Sequence, residues 1–298
     1  LMTEKPQYFK PKTILPIVFG PALANYMSRV LPALGVNGVS PRTYHKWVSV
    51  LRQRALPELP GKYAENTPMD VIELKRHPLW LKYYLEEIEK RTLKFRELFE
   101  VKLAKVDGLE LLLEAWDSLT GLPLIPRLLR LVSWSRAEVK INNVLKLDSA
   151  RMEKQLYNVL EHAFPELFEE PHLLTSQIWN DCLVSQELLL ETVGRLAPGE
   201  FSETQLTSAW TWAVRQYQRR MEAGEVIESD RVSLAEQVES YGGNDLNFTD
   251  EKSLLDEEDD SLLLILYQLL MGPLRRKNGK VLSYTHLMLD EAQDFGAL

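Results

Sequence analysis

Thr285-His-Leu-Met-Leu-Asp-Glu-Ala-Gln-Asp294 runs three apolar residues straight into two adjacent carboxylates. A short continuous apolar run bounded by turns is how a strand buried on both faces of a parallel sheet reads in sequence. Leu287-Met-Leu289 is therefore expected to lie in such a strand. In open α/β sheets the ligand sits at the carboxyl ends of the strands, where Asp290 and Glu291 fall. One carboxylate at that edge can hold Mg²⁺, and its neighbour can take a proton from an attacking water. The plainer alternative is an acidic cap opening a surface helix, which leaves the apolar run unexplained.

A second strand is expected at Thr13-Ile-Leu-Pro-Ile-Val-Phe19, followed at once by Gly20-Pro21. Leu23, Tyr26, Met27, Val30 and Leu34 then recur at helical spacing, and Gly35 is placed as a C′ glycine. Val39-Ser-Pro-Arg-Thr-Tyr-His-Lys-Trp47 comes next. Its hydroxyl and aromatic groups suit nucleic acid, since bases stack on Tyr44 or Trp47 and phosphates accept from hydroxyls and backbone N–H groups. The alternative is ordinary loop and core residues.

Asp290-Glu-Ala-Gln-Asp294 resembles the Walker B (motif II) form of the UvrD/Rep-like superfamily 1 helicases. The strand and turn at 14–25 look like motif Ia of that family, and Thr43-Tyr44-His45 with Trp47 looks like its threonine–aromatic–histidine stretch. Val18-Phe-Gly-Pro21 with Tyr26-x-x-Arg-Val-Leu-Pro-x-Leu-Gly35 is similar to the HelD-like branch. The resemblance implies ATP and Mg²⁺ as cofactors. Asp290 would bind the metal, Glu291 would be the general base, and Gln293 and Asp294 would link nucleotide state to the DNA-binding elements. It places Gly20, Pro21, Asn25, Thr43, Tyr44, His45 and Trp47 on a DNA track, for single-stranded or duplex DNA. In the HelD-like reading a helical insert engages RNA polymerase instead. An inactive remnant is a further alternative.

No Gly-x-x-x-x-Gly-Lys-[Ser/Thr] occurs, so no loop is present to cradle the β- and γ-phosphates. The nearest string, Gly279-Lys280-Val281, lacks the spacing and the hydroxyl. The chain thus reads as an internal piece of a longer helicase. The expected fold class is α/β: an incomplete RecA-like P-loop NTPase domain (1A) interrupted by a large, mainly α-helical insertion (1B). The division expected is 1–50 for the first part of 1A, 51–280 for 1B, and 281–298 for the 1A strand with motif II.

With 298 residues, 45% of them hydrophobic and 26% charged, the chain has the composition of a globular protein. One cysteine, Cys182, rules out an internal disulfide and suits the reducing cytoplasm. A net charge of −8 argues against a whole-surface grip on nucleic acid but leaves room for a local basic track. The five histidines show no metal-ligand spacing. Leu262 to Met271 is too short an apolar run to span a bilayer.

Within the insert, Leu81, Leu85, Ile88, Thr92, Phe95 and Phe99 form one face of a long helix, with Glu86–Lys90 and Glu87–Arg91 as i,i+4 pairs. Either a partner-binding arm or a bundle helix would read this way. Ser202-Glu-Thr-Gln205 is a capping box opening a helix in which Trp210, Val214, Tyr217 and Met221 share a face. That face reads as core, with Arg215 and Arg219 as candidate DNA-backbone contacts. Asp256-Glu-Glu-Asp-Asp260 is expected to sit at the amino end of a helix, where the macrodipole favours negative charge.

Overall fold

Ile14–Val18 forms strand β1, with all five residues buried. The computed structural model describes residues 10–105, 108–141, 149–163, 170–222 and 255–290. Helix α1, Pro21–Ala33, starts directly after β1 with proline at its first position, where the missing N–H is not needed. It ends at Gly35, whose φ of +80° only glycine adopts without strain. Val36 N–H donates to the Leu31 carbonyl at 2.8 Å and Gly35 N–H to that of Pro32 at 2.9 Å, a Schellman closure. β2 is two residues, Arg42–Thr43, and leads into α2, Tyr44–Ala55.

Next come α3 (Met69–Arg76), α4 (Leu79–Lys102), α5 (Leu109–Ser118), α6 (Leu124–Ile141) and α7 (Ser149–Ala163). They are followed by α8 (Leu173–Val184), α9 (Gln186–Leu196), α10 (Glu203–Glu222) and α11 (Asp259–Met271). The last described strand is β3, His286–Leu289. The order across the sheet is β2-β1-β3, all parallel, with Ile17 opposite Arg42 on one side and Leu289 on the other. The carbonyls of Thr13, just before β1, and of Ile17 accept from the N–H groups of Thr285 and Asp290, which flank β3. Pro16 therefore faces the β2 side, where pairing begins only at Ile17, and its missing donor costs no ladder bond.

This corrects the expected fold class. Among the described residues the chain is mainly α-helical, and its sheet has three short strands, so it is not evidently a RecA-like α/β domain. The expected doubly buried strand is also corrected. β3 is an edge strand whose Leu287, Met288 and Leu289 are 55%, 57% and 49% exposed. An apolar run marks extended, sheet-forming residues, but it does not count the neighbours that would cover them.

Two compact units are present. One holds Leu1–Pro78, Val214–Leu264 and Pro273–Leu298, and the other Leu79–Ala213 and Ile265–Gly272. In the second, α4 buries Leu79, Trp80, Tyr83 and Tyr84 in its first turns and Phe95 and Phe99 later. Leu81 and Leu85, expected on the inward face, are exposed. The aromatic set at i, i+3 and i+4 removes more apolar area from water than two leucines, and it decides which side turns inward. Glu87 pairs with Arg91 at 2.8 Å as expected, whereas Glu86 pairs with Arg195 at 2.6 Å rather than with Lys90. The capping box forms: Gln205 N–H donates to Ser202 Oγ at 3.2 Å, and Ser202 N–H donates to Gln205 Oε1 at 3.0 Å. The buried face of α10 carries Trp210, Val214, Tyr217 and Met221. No helix among the described residues is long and apolar enough to cross a membrane.

In the sheet-bearing unit, Val48, Leu51 and Leu264 form a core patch, against which Tyr44, Trp47, Ala55, Leu274 and Leu282 pack. The five acids 256–260 lie beside it. The run sits at the amino end of α11 as expected, and Asp256, Asp259 and Asp260 are in addition almost fully buried. Lys75 Nζ reaches Asp256 at 2.5 Å and Asp259 at 2.6 Å, and Arg52 Nε donates to Asp260 at 2.8 Å. Arg76 holds Glu258 at 2.8 Å. Buried carboxylates are tolerable only with such partners, because desolvating an unpaired charge costs several kcal/mol. Lys75→Met keeps the side chain's bulk but strands two buried carboxylates. Denaturant unfolding is expected to show a loss of about 3–5 kcal/mol; a loss no larger than the roughly 1 kcal/mol of a surface pair would contradict the pairing.

Candidate functional site

All three strands are parallel, so their carboxyl ends lie at one edge of the sheet. Val18 is level with Thr43 on one side. On the other, Asp290 N–H donates to the Ile17 carbonyl at 3.0 Å, which fixes Asp290 one step past Leu289. Thr43 and Asp290 thus flank the end of β1. Two strand spacings put their backbones about 10 Å apart. Gly20 follows two residues beyond Val18, with nothing within 4 Å of where a Cβ would stand. Its φ of −125° does not require glycine, so the space rather than the backbone is its distinctive property.

Two helices begin at this edge. α1 starts at Pro21 and α2 at Tyr44, and neither Gly20 nor Thr43 places a side-chain cap on the free N–H groups. Uncapped helix N-termini carry partial positive charge and suit phosphate oxygens. Asp290 is exposed and has no ion pair with a described residue. A single open carboxylate is the kind of hard oxygen donor that Mg²⁺ takes while keeping several of its waters, so the residue fits the metal that the resemblance implies. Glu291, Gln293 and Asp294 lie outside the described residues, and among the described ones no group of three or more candidate ligands is assembled.

Of the residues expected on a nucleic-acid track, Pro21 and Asn25 are exposed, on α1. Tyr44 and Trp47 are half-buried and belong to the α2 core patch. The Tyr44 hydroxyl shares a hydrogen bond with Ser261 Oγ at 2.8 Å, and Trp47 Nε1 donates to the Tyr284 hydroxyl at 3.3 Å. Their rings therefore serve packing first, the alternative that the sequence had left open. His45 is half-exposed and lies 3.0 Å from Glu257. Arg215 and Arg219 are half-buried on α10.

No protein-family model, curated protein or solved structure matches this chain.

The burial of the acidic run is the feature that the sequence did not reveal, and the run borders this site through His45, which lies 3.0 Å from Glu257. One ammonium, Lys75, serves two buried carboxylates. Burial accordingly pushes the Asp259 carboxyl up to about 6, with Lys75 opposing and Asp256 adding to the rise. Asp260 is also raised by burial, against the pull of Tyr63 and Arg52. A carboxyl raised in the folded state holds its proton more tightly there than in the unfolded chain, where aspartate titrates near 3.9. Ionisation then disfavours folding, so the contribution of Asp259 to stability falls as pH rises from about 4 to about 6. Unfolding free energies measured across that window are expected to fall less steeply for Asp259→Asn than for the unmodified chain. Parallel pH profiles would contradict the assignment.

Proposed function

We propose that this chain belongs to an ATP-dependent DNA helicase or translocase of the UvrD/Rep kind, working in the cytoplasm, and that it supplies that enzyme's metal-binding carboxylate and part of its nucleic-acid path. One observation carries this reading. The residues that the resemblance singles out at 20–21, 43 and 290, far apart in sequence, meet at one edge where three parallel strands end. That edge also presents two uncapped helix N-termini, and it is open to solvent at Asp290.

Asp290 would hold Mg²⁺, directly or through water, and the ion would offset negative charge on the phosphoryl oxygens. Glu291, next in sequence, would accept the proton of the attacking water. Gln293 and Asp294 would relay nucleotide state toward the nucleic-acid path. Gly20 and Thr43 would approach phosphates closely, through backbone N–H groups and one hydroxyl, with Pro21, which has no N–H to offer, opening α1 beside them, while Asn25 lies further along α1 on the same path. Tyr44 and Trp47 support α2 from within and leave stacking to other groups. The phosphate-cradling loop would come from residues beyond these 298, since the sequence contains none.

The 298-residue chain alone is accordingly expected to turn over negligible ATP. In the enzyme that also carries the phosphate loop, Glu291→Gln keeps shape and hydrogen bonding but removes the base. Single-turnover hydrolysis should drop by roughly 10²–10⁴-fold while ATP still binds. Asp290→Asn should also weaken Mg²⁺-dependent nucleotide binding, because a formal charge facing the metal is lost. Hydrolysis by Glu291→Gln at the unmodified rate would end the proposal.

A further inference from the structure

Between Ser261 and Leu289 the sequence has no aspartate or glutamate, although the chain as a whole carries −8. Inside this acid-free stretch, four of the six residues from Arg275 to Lys280 are basic. They form a tight hairpin. Arg275 pairs antiparallel with Val281, Arg276 N–H donates to the Lys280 carbonyl at 2.8 Å, and Gly279 N–H donates to that of Arg276 at 2.9 Å. Gly279 takes φ +76°, the left-handed residue that closes a three-residue hairpin loop. Asn278 Oδ1 accepts from Lys280 N–H at 3.2 Å.

The hairpin is rigid at its base. Leu282 N–H donates to the Leu274 carbonyl at 2.7 Å, and both side chains pack on the Val48, Leu51 and Leu264 patch. Two guanidinium groups are held against carbonyls: Arg275 on Gly279 at 2.8 Å and Arg276 on Ser283 at 3.0 Å. None of the four cations forms an ion pair with a described residue. Lys277 and Lys280 are exposed, at and beside the tip. A concentrated, ordered positive charge without a counter-charge among the described residues points to a polyanion as its ligand.

We infer that this hairpin grips the phosphodiester backbone of nucleic acid, at a place separate from the Asp290 edge. It precedes β3, so it lies toward the amino ends of the strands, whereas Asp290 marks their carboxyl ends. Backbone contact rather than base reading follows from the groups present: point charges and guanidinium forks, with no aromatic ring between Arg275 and Lys280. A membrane surface is the poorer fit, because Lys277-Asn278-Gly279 at the tip offers no apolar side chain to insert. The inference deepens the proposed function, on which it rests for the class of partner, but it does not involve nucleotide chemistry.

The test is salt-dependent binding of the 298-residue chain to labelled single-stranded and duplex DNA of equal length, between about 50 and 200 mM salt. Lys277→Gln/Lys280→Gln should lower the slope of log affinity against log salt by roughly 1.8 on duplex, or roughly 1.4 on single strands. A form whose slope does not change is not held by the hairpin. Lys82→Gln/Lys90→Gln, on an exposed face of α4, should leave the slope unchanged. An unchanged slope for the hairpin variant on both forms overturns the inference, as does loss of binding to phosphatidylserine vesicles in place of DNA. Neither outcome touches the Asp290 reading, which is decided by ATP hydrolysis.

Discussion

Five consecutive acids, four of them buried, lie in the sheet-bearing unit, and each meets a partner from an earlier part of the chain. Lys75 holds Asp256 and Asp259, and Thr67 Oγ1 also donates to Asp256 at 2.7 Å. His45 faces Glu257, Arg76 holds Glu258, and Arg52 and Tyr63 hold Asp260. The segment leading into the run is stitched to the same region, since Leu255 N–H donates to the Lys62 carbonyl and Ala64 N–H to that of Leu255. Because a buried charge without its partner costs several kcal/mol, the run has little choice of position. The start of α11 is thereby tied to α2 and α3.

That tie bears on the candidate site through α2. Its first residue follows β2 directly, so whatever positions α2 also positions Thr43 at the edge of the sheet. Tyr44 and Trp47 reinforce the arrangement: one bonds Ser261 at the start of α11, and the other bonds Tyr284 just before β3. The aromatic residues that looked suited to stacking bases are thus structural supports for the edge. The hydroxyl, glycine and carboxylate beside them remain accessible. A rigid base with open polar groups at its rim is what holding a phosphate or a hydrated metal requires.

What could be read in the sequence was local. β1 shows in its unbroken apolar run, α1 in its helical spacing and in Gly35, and the start of α10 in Ser202 and Gln205, because each depends on residues a few positions apart. The ends of the strands, and with them Asp290, were legible for the same reason. The size of the sheet was not. How many strands gather beside β1 depends on long-range pairing that no local period encodes, and β3 proved an uncovered edge. The acidic run's place at the start of α11 was legible, but its burial was not, because its partners lie 181 to 212 positions away. A faint signal did exist: Arg52 and Lys75 stand on the apolar faces of α2 and α3, next to Leu51 and Leu74, where a lone charge implies a buried partner. On α4, two competing apolar stripes were present, and area decided between them.

The central claim is that the ends of β1, β2 and β3 face one metal-bearing ligand. Replacing Mg²⁺ by Fe²⁺ in the nucleotide-bound enzyme that contains this chain, and then generating hydroxyl radicals at the iron, would map the claim directly. Peptide cleavage is expected to cluster around residues 18–20, 43 and 290, which share one edge about 10 Å wide, and to disappear in Asp290→Asn. Cleavage elsewhere in the chain, or a pattern indifferent to Asp290, would contradict it.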